Sequence, residues 1–283
     1  MIDKQELQQF IALAMHEDVR DGDYSSLASI DVSAQGKAKL LVKDNGILCG
    51  LEVAKVIFEQ VDANLKIETH FNEGDIIKFG DIAFHVYGSA ISILTAERLV
   101  LNCMQRMSGI ATKTNEYVKA IEGTKAKVID TRKTTPNLRF LEKYAVTIGG
   151  GANHRFGLYD MIMLKDNHID FCGGITKAVH KVHEYLKANN LNLRIEVETR
   201  NLENVKEALA CEGIHRIMLD NFTPEKVKEA IDLIHGKYET EASGGITLET
   251  IRSYAETGVD FISVGALTHS VRSLDLSLKA EIN

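Results

Sequence analysis

Between Asp130 and His168 the chain reads DTRKTTPNLRFLEKYAVTIGGGANHRFGLYDMIMLKDNH, and it gathers the cations that a pocket for an anion would need. Arg132, Lys133, Arg139, Lys143, Arg155 and Lys165, with His154 and His168, face only Asp130, Glu142, Asp160 and Asp166. The chain as a whole leans the other way, with 33 Lys+Arg against 40 Asp+Glu. A cationic stretch that opposes the global sign, interleaved with apolar runs such as KVID and MIMLK, suits a lined cleft better than a solvated face. Gly149, Gly150 and Gly151 would let backbone amides approach such a ligand closely. Arg98 stands apart on an apolar helical stretch beside Glu97, where an ion pair along the helix would account for it.

Elements must bring these side chains together, and after Gly123 the sequence changes rhythm to supply them. Short apolar runs at 127–130, 161–165, 194–198, 216–220, 238–243 and 261–265 alternate with helical segments at 175–190, 202–213, 223–236 and 247–258. Repeated strand–helix units imply parallel strands, and their number and length predict a (β/α) barrel. Active sites in barrels sit at the C-terminal strand ends. Those ends carry Asp130 to Lys133, then Lys165 and Asp166, Glu196 and Glu198, Asp220, Glu241 to Ser243, and Gly265. Cations therefore lead, carboxylates follow, and Ser243-Gly244-Gly245 and Val264-Gly265-Ala266 close the set. The last two loops match the place where barrels hold a phosphate on backbone amides. Glu198 and Asp220 suit either a hard cation such as Mg²⁺ or the hydroxyls of a ribose. Lys165 could instead form a Schiff base, as barrel lysines do. His154 and His168 lack partners at metal-ligand spacing, which favours hydrogen-bonding roles.

The remainder sets bounds. A chain of 283 residues, 45% hydrophobic and 26% charged, is an ordinary globular composition. The net charge of −7 argues against general nucleic-acid binding, and no apolar run reaches the ~20 residues of a membrane span. The N-terminal stretch 4–16 reads as an amphipathic helix without the cationic region of a signal peptide. Cys49, Cys103, Cys172 and Cys211 are widely spaced, a reduced cytoplasmic pattern without a zinc site. Residues 17–26, EDVRDGDYSS, read as a loop. Strands at 37–43, 65–71 and 82–90, with a helix at 50–61, predict a small α+β domain before a long helix from Ser92 to Ile121.

The stretch DTRKTTPNLRFLEKYAV, followed by GGGANHRFGLYDMIMLKDNH, closely resembles the quinolinate phosphoribosyltransferase family. The resemblance continues through TAERLVLNCMQRMSGIAT upstream and through IEVET, IMLDNFTPE, EASGGI and SVGALTHS downstream, so it covers nearly the whole chain. It implies a type II phosphoribosyltransferase-like α/β barrel, open or seven-stranded, over 109–270. An N-terminal α+β sandwich domain would span 1–108, with 271–283 packing on it. It implies phosphoribosyl transfer to quinolinate with decarboxylation, giving nicotinate mononucleotide for NAD biosynthesis, with Mg²⁺ as cofactor. Carried over residue by residue, Arg98, Arg132, His154, Arg155 and Lys165 would hold quinolinate, and Lys133 would face the pyrophosphate. Glu198 and Asp220 would serve the ribose and the metal. Thr131, Ser243, Gly244, Gly245, Val264, Gly265 and Ala266 would complete the substrate site. Lys133, Lys165, Glu198 and Asp220 would be the catalytic set. A homo-oligomer, a dimer or dimer-based hexamer sharing Arg98 across its interface, is implied, without nucleic acid or membrane. The alternatives are a same-fold paralogue, such as the molybdenum-associated relatives, acting on another heterocyclic acid; a lyase using Lys165; or a binding protein without activity.

Overall fold

The structure is a computed structural model and describes residues 2–281; Met1, Ile282 and Asn283, at the ends of the expected domains, lie outside the described residues. The chain divides into two compact units. One comprises Met1–Asn115, Thr135–Gly150 and Ser270–Asn283, and the other Glu116–Thr134 and Gly151–His269.

The first unit begins with α1 (Lys4–Asp18), whose start Asp3 caps by accepting the Glu6 N–H at 2.8 Å. Next come α2 (Tyr24–Ser29), β1 (Gln35–Val42), β2 (Gly46–Ile47), α3 (Leu51–Val61), β3 (Lys66–Thr69), β4 (Ile76–Ile77) and β5 (Ile82–Ser89). Helix α2 occupies part of the stretch expected to be loop. Asp23 caps it through the Ser26 N–H, so an Asp read as a turn residue is a helix start. Strands β1 and β5 pair antiparallel with Leu40 opposite Phe84, both fully buried, and β3 extends the sheet on the β5 side. Helix α3 buries Val53, Ala54, Ile57 and Phe58, and the Phe58 ring meets Phe84 edge-on at 6.0 Å. Glu73 accepts the N–H groups of Gly50 and Glu52 that open this helix.

Helix α4 (Ala90–Ala120) follows, its residues 90–115 belonging to this unit. Helix α5 (Arg139–Ile148) also belongs here, although the sequence reading placed 135–150 in the barrel. The reason is local packing. Phe140 meets Phe10 at 5.8 Å, and Glu142, 1% exposed, accepts from Arg106 at 2.7 Å and from the Thr135 N–H at 3.1 Å. Gly149 ends α5, and a Cβ there would strike the Ala111 carbonyl of α4.

In the second unit lie β6 (Lys127–Ile129), β7 (Ile162–Leu164), α6 (Asp166–Cys172), α7 (Ile175–Ala188), β8 (Ile195–Thr199), α8 (Leu202–Ala210) and β9 (Arg216–Asp220). These are followed by α9 (Pro224–Ile234), β10 (Glu239–Ser243), α10 (Ile251–Ala255), β11 (Phe261–Ser263) and α11 (Ala266–His269). All six expected strands form, and they pair in parallel in the order β6-β11-β10-β9-β8-β7. An isolated parallel bridge from Ile129 to Ala152 adds a seventh position on the free edge of β6. This is an α/β barrel, open on one side. Thr223 caps α9, with Pro224 at its first position, as the sequence predicts. Strand β12 (Leu276–Ala280) then pairs antiparallel with β1 in the first unit. No helix among the described residues is long and apolar enough to cross a membrane.

Candidate active site

Side chains alternate along a strand, so each barrel strand sends one set outward to the helices and the other into the barrel. The inward pairs Met163 and Lys165, Met218 and Asp220, Glu241 and Ser243, Ser263 and Gly265 line one cavity of about 770 Å³. That volume suits a substrate-sized ligand. Of the predicted set, Thr131, Arg132, Lys133, His154, Arg155, Gly244, Gly245, Val264 and Ala266 also stand along its walls. Glu198 is buried beside it, 6% exposed, with an oxygen 3.3 Å from the Lys165 Nζ. Arg98 lies exposed on α4 in the first unit, outside the residues that line this cavity.

Two features of the stretch 130–168 differ from the sequence reading, and the hydrogen-bonding role expected of His168 is found. Arg139 and Lys143 fall on α5 in the first unit, and Lys143 is 1% exposed, so neither joins the cationic lining. Gly149 and Gly150 end that helix and do not cradle a ligand; Gly150 takes the left-handed conformation at φ 91°. His168 accepts the Lys165 N–H on Nδ1 at 3.0 Å and so closes the first turn of α6.

The glycines that do approach a ligand site are on the last strands. Gly244 has φ 98°, and a Cβ there would lie 2.9 Å from the Asn221 amide nitrogen and strike its side chain as well. Only glycine fits such a turn. A Cβ on Gly265 would meet Lys133 at 3.0 Å and His269 at 3.1 Å, so its absence lets two cavity-lining side chains close over the backbone. The Val264 N–H donates to the Ile129 carbonyl at 3.0 Å, so Val264 supplies wall and its amide is engaged in the barrel. Helix α11 opens at Ala266, and its Leu267, Thr268 and His269 N–H groups already donate to the carbonyls of Val264 and Gly265, so the glycine turns supply the open backbone here.

Charge is sorted along the cavity. Burial, and then the neighbouring Arg132 guanidinium, hold the Arg155 guanidinium below its ordinary range. Burial, and then the charge of Glu198, push the Asp220 carboxyl up. The arginines suit an anionic guest, and the carboxylates, with the Lys165 Nζ already 3.3 Å from Glu198, have oxygens left for hydroxyls or a cation. Glu198 and Asp220, with oxygen donors only, fit Mg²⁺.

A second cluster, on the floor, joins His154 to Glu196 and Glu241, two strand-end carboxylates that drew no role in the sequence reading. His154 Nε2 stands 3.0 Å from Glu196 Oε2 and 3.3 Å from Glu241 Oε2, and both glutamates are fully buried. Arg216 Nη1 donates to Glu241 at 2.8 Å, and its guanidinium lies 3.9 Å over the Phe261 ring. Burial opposes a charged His154 ring, and the hydrogen bonds and charges of the two carboxylates favour one. The Arg155 N–H, directed at Nδ1 from 2.6 Å, works the other way, because a second ring proton would meet it head on. That contact leaves Nδ1 an acceptor and puts the ring proton on Nε2, between the carboxylates. Glu196, Glu241 and His154 have the proximity of metal ligands, but a protonated Nε2 has no lone pair for one, and Arg216 already supplies a cation. The sequence signal for this cluster was the period of two: Glu196 and Glu241 stand two residues before Glu198 and Ser243 and share their face.

Burial, and next the charge of Glu241, push Glu196 up to about 7 from 4.5. The folded protein thus holds this proton more tightly than the unfolded chain. Its contribution to stability is full below pH 4.5 and is lost as pH rises through about 7. Glu196→Gln should therefore flatten the fall of melting temperature across that interval, followed by circular dichroism. An unchanged slope would contradict the burial of a titrating carboxyl here.

Comparison with known proteins decides the family. The model of the quinolinate phosphoribosyl transferase C-terminal domain matches residues 110–279, and that of the N-terminal domain matches residues 23–108. The chain belongs to the quinolinate phosphoribosyltransferase family. It is 46% identical to quinolinate phosphoribosyltransferase [decarboxylating] 2b, mitochondrial, of Nicotiana tabacum, over 98% of this chain and 82% of that one. It is 44% identical to the probable nicotinate-nucleotide pyrophosphorylase [carboxylating] of Bacillus subtilis, over 94% of this chain and 91% of that one. The crystal structure of NadC from Streptococcus pyogenes superposes with a TM-score of 0.93 at 42% identity, covering 99% of this chain and 97% of that one. The two family models meet between residues 108 and 110, whereas the compact units place 135–150 and 270–283 with the N-terminal residues.

Proposed function

We propose that this protein transfers the phosphoribosyl group of phosphoribosyl pyrophosphate to quinolinate, releasing pyrophosphate and CO₂ and giving nicotinate mononucleotide for NAD biosynthesis. The observation that carries this reading is that Arg132 and Arg155 line one cavity together with the glycine turns at 244–245 and 265. Two guanidiniums at one end suit a dicarboxylate, which accepts paired N–H donors, and backbone amides at the other suit the 5′-phosphate. Lys165, near Glu198, would complete the quinolinate pocket, with His154 at its base. Lys133, over Gly265, would face the pyrophosphate.

The ring nitrogen attacks the anomeric carbon as its bond to pyrophosphate breaks, through a transition state with oxocarbenium character. Cations on the leaving group lower that barrier most directly. The pyridinium so formed accepts the electron pair left when the adjacent carboxylate departs as CO₂, and that carbon then takes up a proton. Glu198 and Asp220 would hold Mg²⁺, which when bound neutralises charge on the pyrophosphate, and they would also accept ribose hydroxyls. No protein nucleophile is required. The lyase and paralogue alternatives are not favoured: Lys165 is half exposed and 3.3 Å from Glu198, unlike a desolvated amine nucleophile, and the relatives reported above carry quinolinate or nicotinate-nucleotide names.

We infer further that the enzyme works as a homo-oligomer in which the exposed Arg98 of one copy completes the quinolinate pocket of another. A cytoplasmic location fits the four unpaired cysteines, three of them buried. The test is pyrophosphate release from phosphoribosyl pyrophosphate with quinolinate, with and without Mg²⁺. Turnover is expected only with both. Full activity in EDTA would remove the metal from the account, and turnover of nicotinate without CO₂ loss would reassign the substrate.

A further inference from the structure

The residues that carry His154 and Arg155 have little strand structure to hold them. Strands β6 and β7 are the edges of the six-stranded sheet, and between them the described residues make only the bridge from Ile129 to Ala152. A side chain that must grip a rigid dicarboxylate through two N–H donors tolerates little movement of its backbone. At this break in the barrel the buried polar cluster supplies the missing connections. The His154 N–H donates to Asp130 Oδ1 on the β6 side at 2.9 Å. The Arg155 N–H donates to the His154 ring at 2.6 Å, and the ring's other nitrogen faces Glu196 on β8 and Glu241 on β10. Arg216 on β9 fixes Glu241 in turn, with its second fork atom 3.1 Å from Glu239. Asp130 just past β6, Glu196 on β8 and Glu241 on β10 thus anchor a segment that has no ladder of its own, with β9 behind Glu241.

We propose that Glu241 is a positioning residue for the dicarboxylate: clamped by Arg216, it fixes the His154 ring, which in turn fixes the Arg155 backbone. The proposal rests on the quinolinate reading above, and it deepens that reading. Glu241 lines the cavity floor and is fully buried, and its partners are His154, Arg216 and Ser263, so it needs no contact with the substrate. Its removal should therefore loosen the grip on one substrate only.

Glu241→Gln keeps an oxygen toward His154 and removes the charge. Since it leaves Arg216 buried without its partner, the double variant Glu241→Gln/Arg216→Met, which removes both charges, is made alongside. In either, KM for quinolinate should rise about tenfold, while KM for phosphoribosyl pyrophosphate changes less than about twofold. In an Arg155→Ala background the same change should add less than it does alone, because part of its effect passes through Arg155. A rise of both KM values together, or full additivity with Arg155→Ala, would overturn the proposal and leave Glu241 a structural residue. Nitrogen-15 NMR of the substrate-free wild type gives a readout independent of turnover. His154 should carry its proton on Nε2 and none on Nδ1, and a proton on Nδ1 would break the link to Arg155. If quinolinate is not turned over at all, the functional reading fails, while the ring measurement still decides the linkage.

Discussion

Lys133→Ala and Lys165→Ala are each expected to slow turnover about a hundredfold or more, a loss of ~3–4 kcal/mol of transition-state stabilisation. Both lysines stand at strand ends inside the cavity, and both have exposed side chains, so neither contributes a core contact. Lys133 is nevertheless held in place. Its N–H donates to Thr131 Oγ1 at 3.0 Å, its carbonyl accepts from Thr268 at 2.8 Å, and its stem lies over Gly265. Such a preorganised charge stabilises a leaving anion without reorganisation at the moment of reaction. Lys165 is set by Glu198 and by the start of α6. The measurement is kcat for each variant beside its melting temperature, which should stay within a few degrees of wild type because exposed substitutions cost little stability. A variant that turns over like wild type would make its lysine an ordinary solvated charge.

Mixing two inactive variants, Arg98→Ala and Lys133→Ala, should restore about a quarter of wild-type activity once subunits exchange. Arg98 is exposed on α4 and Lys133 lies in the cavity of the second unit. If Arg98 acts in a neighbouring copy, each mixed dimer has one site with both residues intact and one with neither. Random pairing makes about half of the dimers mixed, and half of the sites in those are complete. If Arg98 serves its own chain, every site keeps one defect. Demonstrated exchange without recovery of activity would reject the shared site.

Much of the barrel was legible because its strands are short apolar runs with a period of two and its helices are amphipathic. The same period placed Lys165, Asp220 and Ser243 at the mouth. What escaped were features whose cause lies in packing between distant segments. Arg139 and Lys143 disguised α5 as part of a basic pocket, although Phe140, Leu141, Tyr144, Ala145 and Ile148 stand at helical spacing. Its docking on Phe10 and Arg106 could not be read from order along the chain. Gly149 and Gly150 looked like a ligand cradle because glycine signals close approach without saying what approaches; here it is α4. Glu196 and Glu241 looked like ordinary strand-end carboxylates, because the partner that gives them meaning, His154, arrives from an irregular segment.

The most direct test of the account follows the carboxylate beside the ring nitrogen. Quinolinate labelled with carbon-13 at that position would be incubated with phosphoribosyl pyrophosphate, Mg²⁺ and the wild-type protein, and both CO₂ and nucleotide product examined by mass spectrometry. The account predicts that all label leaves as CO₂, one for each pyrophosphate released, and that nicotinate mononucleotide forms unlabelled. Label retained in a ribosylated product, or CO₂ released without pyrophosphate, would contradict it.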